Sequence, residues 1–394
     1  MTRPAAIRTE PSNAFAHDTV KRRLPAIVRE TAARNPDYPA GIATALEQLA
    51  RDLENDAPIP TIADPDWAAL LQEHGGETWL GTEWFFGETY FYRLLLDTVG
   101  WEDTRRDPFA PHKIAELQSA SLRSALFAAF EMTPAEPEDR LTDRLLRALW
   151  GNRIDLSLPS VMAHGSSGGQ DDLLADDRDA IIAHLRASVG GEVHLVADNT
   201  GTELAMDWLL IDALLDDAQD DLPFIDRVTL HVKIRPTFVS DATRDDALTL
   251  LAELGGRGSL TGGFGHQAAG IAERLQAALL DGRLTVAEHT LWNSGYFLWD
   301  QPEQIAALFA DARLVIFKGD ANYRRLIGDA VWDSTTPFGT AMGYFPAPVM
   351  AMRTLKSDPI LGLAAGQADA LDQIDPRWHV NGKYGVIQFS GGRG

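Results

Sequence analysis

The segment Val193-His194-Leu195-Val196-Ala197-Asp198-Asn199-Thr200-Gly201-Thr202-Glu203 concentrates more potential chemistry than any other stretch of this 394-residue chain. An apolar, β-rich run stops at adjacent Asp and Asn, passes through Gly201 and enters a helix near Glu203. In an open α/β sheet the carboxyl end of a strand is where ligands gather. Two oxygen-bearing side chains there, beside a helix N-terminus that favours anions, form the start of a metal-and-phosphate site. A second apolar run, Val228 to Ile234, leads through Arg235 to Ser240 and delivers Asp241 to the same rim. Two carboxylates and an amide carbonyl supply only oxygen, which suits Mg²⁺ or Mn²⁺ and is poor for zinc. Asp198, Asn199 and Asp241 are also preferred helix N-caps, and the residues alone leave that alternative open.

Leu314-Val315-Ile316-Phe317-Lys318-Gly319-Asp320-Ala321-Asn322-Tyr323-Arg324-Arg325 repeats the architecture: a strand, a polar turn and a helix carrying two arginines. Arg offers a planar fork suited to phosphate, and Lys318 a compact charge. Arg353-Thr354-Leu355-Lys356 closes another apolar run, and Lys356 at its end could neutralise a phosphate. Lysine is scarce here, with only six in the chain, so one at a strand end stands out.

Two kinds of element must position these groups. Up to about Arg186 the periodicity is helical: Phe15 to Asn35, Ile42 to Asn55, the aromatic run Trp84 to Leu96, His112 to Phe130 and Pro137 to Trp150. The aromatic run is apolar almost all round and reads as a buried helix. No strand is evident before His194. From there strands (Val193–Ala197, Val228–Ile234, Leu284–His289, Leu314–Phe317, Val349–Thr354, Val386–Phe389) alternate with helices such as Thr202–Asp216, Asp245–Leu254 and Pro302–Asp311. That alternation predicts an α/β fold with a largely parallel sheet over residues 187–394, preceded by a helical region over 1–186.

Composition excludes several classes. The absence of cysteine removes disulfides, thiolate catalysis and cysteine-ligated metal centres. A formal charge of −22 argues against a nucleic-acid partner, because duplex binding rests on Lys and Arg neutralising phosphates. No apolar run reaches the length of a membrane span and no signal-peptide pattern opens the chain, so a cytoplasmic location is expected. Gly165-Ser166-Ser167-Gly168-Gly169 fits a hydrolase elbow but lacks a preceding strand, and the glycines of Gly255 to Gly265 lack the Gly-Lys-Ser/Thr of a P-loop. The ten histidines are scattered without metal-ligand spacing. Nothing in the sequence fixes an oligomeric state.

In combination these motifs resemble the damage-control phosphatase family, in particular its Arg-Thr-x-Lys group, also described as acidic-residue (protein-glutamate) methyltransferases. The resemblance rests on Phe15-Ala16-His17-Asp18-Thr19-Val20 with Arg23-Leu24-Pro25, Glu88 to Arg93, Asp107-Pro108-Phe109, and Leu149-Trp150-Gly151-Asn152-Arg153. Further on it includes Asp198-Asn199-x-Gly-x-Glu203, Val239-Ser240-Asp241, Phe317 to Leu326, Arg353 to Lys356, and Gly382 to Ile387. It implies a helical region packed on a three-layer α/β/α, Rossmann-like domain and a divalent metal on Asp198, Asn199 and Asp241. The implied metal is Mn²⁺, Co²⁺ or Ni²⁺, with Mg²⁺ as a further candidate. It further implies that a small phosphorylated metabolite, a sugar phosphate such as fructose 1-phosphate, meets Asp198, Asn199, Asp320, Asn322, Tyr323, Arg324, Arg353 and Lys356. Catalysis would fall to Asp198, Asp241 and Asp320, with the nucleophile left open between one of these and a water held by the metal. The helical region would roof the pocket and set specificity, through Asn152 or the aromatic helix. The alternative activity is S-adenosylmethionine-dependent carboxyl methylation, against which Asp198-Asn199 stands where a glycine-rich nucleotide loop would be expected.

Overall fold

The computed structural model describes residues 3–134, 136–151, 172–216 and 225–392. Asn152 and the Gly165 to Gly169 motif lie outside the described residues. The described strands are β1 Leu173–Asp176, β2 Glu192–Val196, β3 Arg227–Val232, β4 Leu284–Glu288, β5 Leu314–Lys318, β6 Val349–Thr354 and β7 Gly385–Ser390. They form one sheet in the order β1-β7-β6-β5-β2-β3-β4. Every pair is parallel except β6 with β7. The strands at the centre are near-continuous apolar runs because both faces are covered: all five residues of β5 are buried.

β2 and β5 are neighbours, yet the chain leaves them in opposite directions across the sheet, β2 towards β3 and β5 towards β6. Their carboxyl ends therefore flank a topological switch point, the crevice where open α/β sheets take ligands.

One face of the sheet packs its core against the helices Ala120–Glu131, Pro137–Trp150, Thr202–Leu215, Arg244–Leu254 and His266–Asp281. The other carries Pro302–Phe309, Asp320–Ile327 and Phe338–Ala341. The helix Thr202–Leu215 is buried all round, lying between the sheet and the helices Ala120–Glu131 and Pro137–Trp150. A separate core spans Ile7 to Phe109 and builds the helical layer over the strand ends.

Three expectations differ in detail. The first helix runs as Ala14–Asp18 and Leu24–Arg34 joined by a π-turn at Thr19–Arg23. The segment expected as one helix from His112 to Phe130 is two, Ala110–Leu117 and Ala120–Glu131, because Ser119 caps the second by accepting from Leu122 N at 3.1 Å. β1 escapes the periodicity reading: it is four residues long at the sheet edge, with only partly buried side chains. It lies before residue 186 and still belongs to the sheet, beside β7.

Candidate active site

The loops after β2 and β3 pair with each other. Asp198 O accepts from Ala242 N (2.8 Å), Ser240 O accepts from Thr200 N (2.7 Å), and Asn199 and Asp241 form an isolated antiparallel bridge. Backbone pairing thus sets Asp198, Asn199 and Asp241 side by side. The second loop is strained: Phe238 and Val239 have φ of 47° and 70°, and Ser240 N donates back to Phe238 O (2.8 Å) in a γ-turn. Left-handed backbone at a β-branched residue persists only where its surroundings enforce it.

Asp198 is closely approached by the turn after β5. Gly319 has φ 84°, and a Cβ there would lie 1.9 Å from Asp198 Oδ2. The amide of Asn199 stitches the cluster: Nδ2 donates to Asp198 Oδ2 (2.9 Å) and Glu203 Oε2 (3.0 Å), while Oδ1 accepts from Ser240 Oγ (2.6 Å). Burial pushes the Asp198 carboxyl well above the usual carboxylate range, and the charges of Glu203 and Asp241 push it further. Asp241 is raised by burial as well, opposed by Lys233, whose Nζ lies 3.3 Å from Asp241 Oδ2. Lys233 in turn is lowered by burial and donates to Trp292 O (3.0 Å).

These groups floor a cavity of about 360 Å³, whose lining includes Asp198, Asn199, Asp241, Asp320, Arg324, Arg353 and Lys356. Small-molecule sites commonly span roughly 300–1,000 Å³. Lys356 is exposed and has no hydrogen-bond or ion-pair partner among the described residues. Asp320, first residue of its helix, accepts from Ser357 Oγ (2.8 Å) on Oδ1. Arg353 is buried, donates to Pro359 O (2.8 Å) and Ser357 O (2.9 Å), and stacks over Tyr323 at 4.4 Å. It therefore holds the loop that carries Lys356. Arg324 is fixed by both oxygens of Asp329 (2.8 and 3.0 Å), by Glu88 Oε2 (2.5 Å) and by the Trp84 ring at 3.7 Å.

Two residues expected at the substrate do not line this cavity. Asn322 Nδ2 donates to Ala197 O (3.0 Å) and Lys318 O (2.8 Å), tying the ends of β2 and β5 together. Tyr323 OH donates to Gln388 Oε1 (2.9 Å) in the core. The helix Asp320–Ile327 turns these two inward and leaves Asp320 and Arg324 on the cavity. Lys318 is not a surface charge either: it donates to Asp207 Oδ1 (2.5 Å) and Ala148 O (2.7 Å) beneath the site. Glu88 does line the cavity while pairing with Arg324, whereas Arg93 pairs with Asp64 (2.7 Å).

The helical layer adds residues that the sequence reading did not assign. Arg23, the last residue of the π-turn, lines the cavity, is exposed, and has no partner among the described residues. Glu116 accepts from Thr202 N (3.1 Å) at the N-terminus of the helix Thr202–Leu215. A Cβ on Gly201 would lie 2.2 Å from Glu116 Oε1, which explains the glycine. A π-turn is often a mark of a functional position, but reading one from sequence needs the packing partner.

Residues 19–371 match the Damage-control phosphatase ARMT1-like domain. The chain belongs to this damage-control phosphatase family. Full-length similarity supports the assignment: it is 27% identical to Damage-control phosphatase ARMT1 of Danio rerio, over 99% of the chain and 98% of the relative. The Homo sapiens protein of the same name is 27% identical over 98% of the chain and 99% of the relative. A crystal structure of a DUF89 family protein from Pyrococcus horikoshii shares the fold, with a TM-score of 0.51 over 95% of the chain and 96% of that structure, at 16% identity. The family makes this a phosphatase-type enzyme of metabolite damage control. Among the described residues no helix is long and apolar enough to cross a membrane.

Among the described residues no three His, Cys, Asp or Glu side chains form a ready metal cluster. The donors beside β2 are two carboxylates and an amide. Among the described residues Asp241 Oδ2, buried and ion-paired with Lys233, accepts no well-aligned hydrogen bond, and the charge of Glu203 raises both Asp198 and Asp241. Such a crowd of all-oxygen donors fits a hard divalent cation.

Proposed function

We propose that this chain hydrolyses phosphate monoesters of small sugar phosphates, fructose 1-phosphate-like in size and charge. It would use a divalent cation (Mn²⁺, Co²⁺ or Ni²⁺, or Mg²⁺) held by Asp198, Asn199 and Asp241. The reading rests chiefly on one observation: two cations without hydrogen-bond or ion-pair partners among the described residues, Arg23 and Lys356, share a cavity with the buried carboxylates Asp198 and Asp241, the charge of the second raising the first. A dianionic phosphoryl group offers what those two cations lack. A bound divalent cation would offset the crowded carboxylates and polarise a phosphoryl oxygen.

The remaining work belongs to the chain. Lys356 from the sheet rim and Arg23 from the helical layer grip non-bridging oxygens, with Arg324 as a fixed third cation. Its anchoring by Asp329, Glu88 and Trp84 means that Arg324 needs little reorganisation when the substrate arrives. Asp320 Oδ2 has no hydrogen bond among the described residues and is only partly exposed, so Asp320 is placed to take the proton of the attacking water and pass it to the leaving oxygen as the ester P–O bond breaks. The helical layer closes the cavity from above and limits it to small substrates.

The test is phosphate release from a sugar-phosphate panel with each of the four metals, in the wild type and in Asp198→Ala. Absence of turnover with every metal, or full activity in Asp198→Ala, would sink the reading. Carboxyl methylation is the alternative; transfer of labelled methyl to protein that survives Asp198→Ala would put it first.

A further inference from the structure

Arg324 is held from two sides. Asp329 grips its guanidinium after the helix Asp320–Ile327, and Trp84 and Glu88 meet it from the helix Trp84–Thr98. Glu88 and Arg324 are 236 residues apart in the chain. One residue joins their backbones. Ile7 N donates to Asp329 O (2.9 Å), and Ile7 O accepts from Trp84 N (2.9 Å).

Ile7 sits in an extended strap. On one edge Val331 N donates to Ala5 O (2.8 Å), and Ala6 and Ala330 form an antiparallel bridge. On the other, Thr9 N donates to Thr82 O (2.9 Å), and Arg8 bridges Glu83. The strap is fastened at both ends. Arg3 lies over the Trp299 ring at 4.8 Å and bonds Asp300, while Arg8 donates to Glu77 Oε1 (2.9 Å) and to Gly81 O. Trp299 in turn packs on Gly328, where a Cβ would come within 1.8 Å of the ring. Gly328 precedes Asp329, a non-glycine residue with φ 42°. A left-handed aspartate persists only if its surroundings hold it, and the hydrogen bond from Ile7 is one of those restraints.

We propose that the strap, residues 3–9, is a positioning element for Arg324: it sets the separation of Asp329 and Trp84, and so the place of the guanidinium in the cavity. The functional half of this statement rests on the phosphatase reading above; the structural half does not. Displacement of a clamp by about 1 Å costs up to about 10²-fold in turnover, so a strap far from the reacting atoms matters.

The test uses the full chain with Ile7→Pro, which removes the N–H given to Asp329, and Ile7→Val, which keeps both backbone bonds. A second loosened form, Arg3→Ala with Arg8→Ala, leaves Ile7 intact and carries the test if the proline variant does not fold. The direct readout is proton exchange at Arg324 Nε by NMR of ¹⁵N-arginine-labelled protein, the signal being identified by its loss in Arg324→Lys. Exchange is expected to speed up at least about tenfold in the loosened strap, as for a locally opened contact, and to stay unchanged in Ile7→Val. The second readout is affinity for inorganic phosphate, expected to fall about tenfold in the loosened strap. With Arg324→Ala already present, loosening the strap should cost no further affinity. Unchanged Arg324 exchange in a folded loosened variant overturns the proposal. An equal affinity loss in the Arg324→Ala background does so too. If the wild type neither binds phosphate nor releases it from esters, the phosphatase reading falls, and the exchange measurement alone still decides the strap.

Discussion

Replacing Gly319 by alanine should disable the site without altering any side chain that lines it. Gly319 has φ 84° and ψ 175°, a region that is essentially closed to residues with a Cβ and costs about 1–3 kcal/mol when forced. The added methyl would also meet Asp198 Oδ2 at 1.9 Å, against 3.4 Å for the closest ordinary contact. Either the carboxylate or the turn must therefore move about 1.5 Å, enough to cost about 10²-fold or more in kcat/KM. The assay is kcat/KM on the best sugar phosphate with Mn²⁺, beside calorimetric Mn²⁺ binding and thermal unfolding. Both metal affinity and turnover should fall together. Gly41→Ala is the matching control, since a Cβ there meets nothing within 4 Å in an exposed helical position; it should stabilise the fold by about 0.5–1 kcal/mol and leave turnover alone. If folded Gly319→Ala keeps Mn²⁺ affinity and kcat/KM within threefold of wild type, the packing of that turn against Asp198 does not matter as argued.

Lys356→Ala should lower phosphate affinity and kcat/KM by about 10–100-fold, as expected for one lost contact to a charged group of about 1.5–3 kcal/mol, with unfolding unchanged because Lys356 is exposed. Tyr323→Phe should do the reverse. It leaves Gln388 Oε1 without the Tyr323 donor, so stability drops by about 1–3 kcal/mol, while kcat and KM of the folded protein hold; a raised KM would return Tyr323 to the substrate. His231 is kept neutral by burial, its pKa lowered from 6.5 to about 3. The unfolded chain thus binds the extra proton first, and stability is fully present above about 6.5 and lost as pH falls towards 3. From pH 7 to 5 that loss is about 2 kcal/mol by linkage, so urea unfolding of His231→Phe should show a flatter pH dependence than wild type. Equal slopes would contradict the buried, neutral assignment.

The rim of the sheet was readable because parallel strands are apolar throughout and end abruptly, so the first polar residue after each marks the site edge. Asp198, Asn199 and Asp241 stood out on that ground, and the structure brings them together. Helix faces were less readable. In Asp320–Ile327 the choice between Asp320 with Arg324 and Asn322 with Tyr323 depends on which side meets the sheet, which no local pattern records. Lys318 misled for a related reason: as the last residue of a strand covered on both faces it turned inward to Asp207 rather than outward to solvent. Arg23 was invisible as a site residue because its place depends on a π-turn and on a helical layer folding over a distant sheet edge. β1 carries little periodic signal, being four edge residues of which three are half-buried and Asp176 is exposed.

The place of β7 in the sheet has a bearing on how the protein is made. β7, Gly385–Ser390, is the last of the described strands in chain order, yet it lies between β1 and β6 rather than at an edge. β1 has no other neighbour among the described strands. β6 ends at Thr354 and β7 begins at Gly385, so at roughly 5–20 residues per second β6 is made roughly 1.5–6 s before its missing neighbour, and β1, which ends at Asp176, roughly 10–40 s before it. Until β7 arrives, β6 presents an open edge of unpaired backbone and β1 has nowhere to dock. Sheet closure thus waits for β7, and β1 and the open edge of β6 are most exposed to aggregation or chaperone capture in the interval before β7 is made.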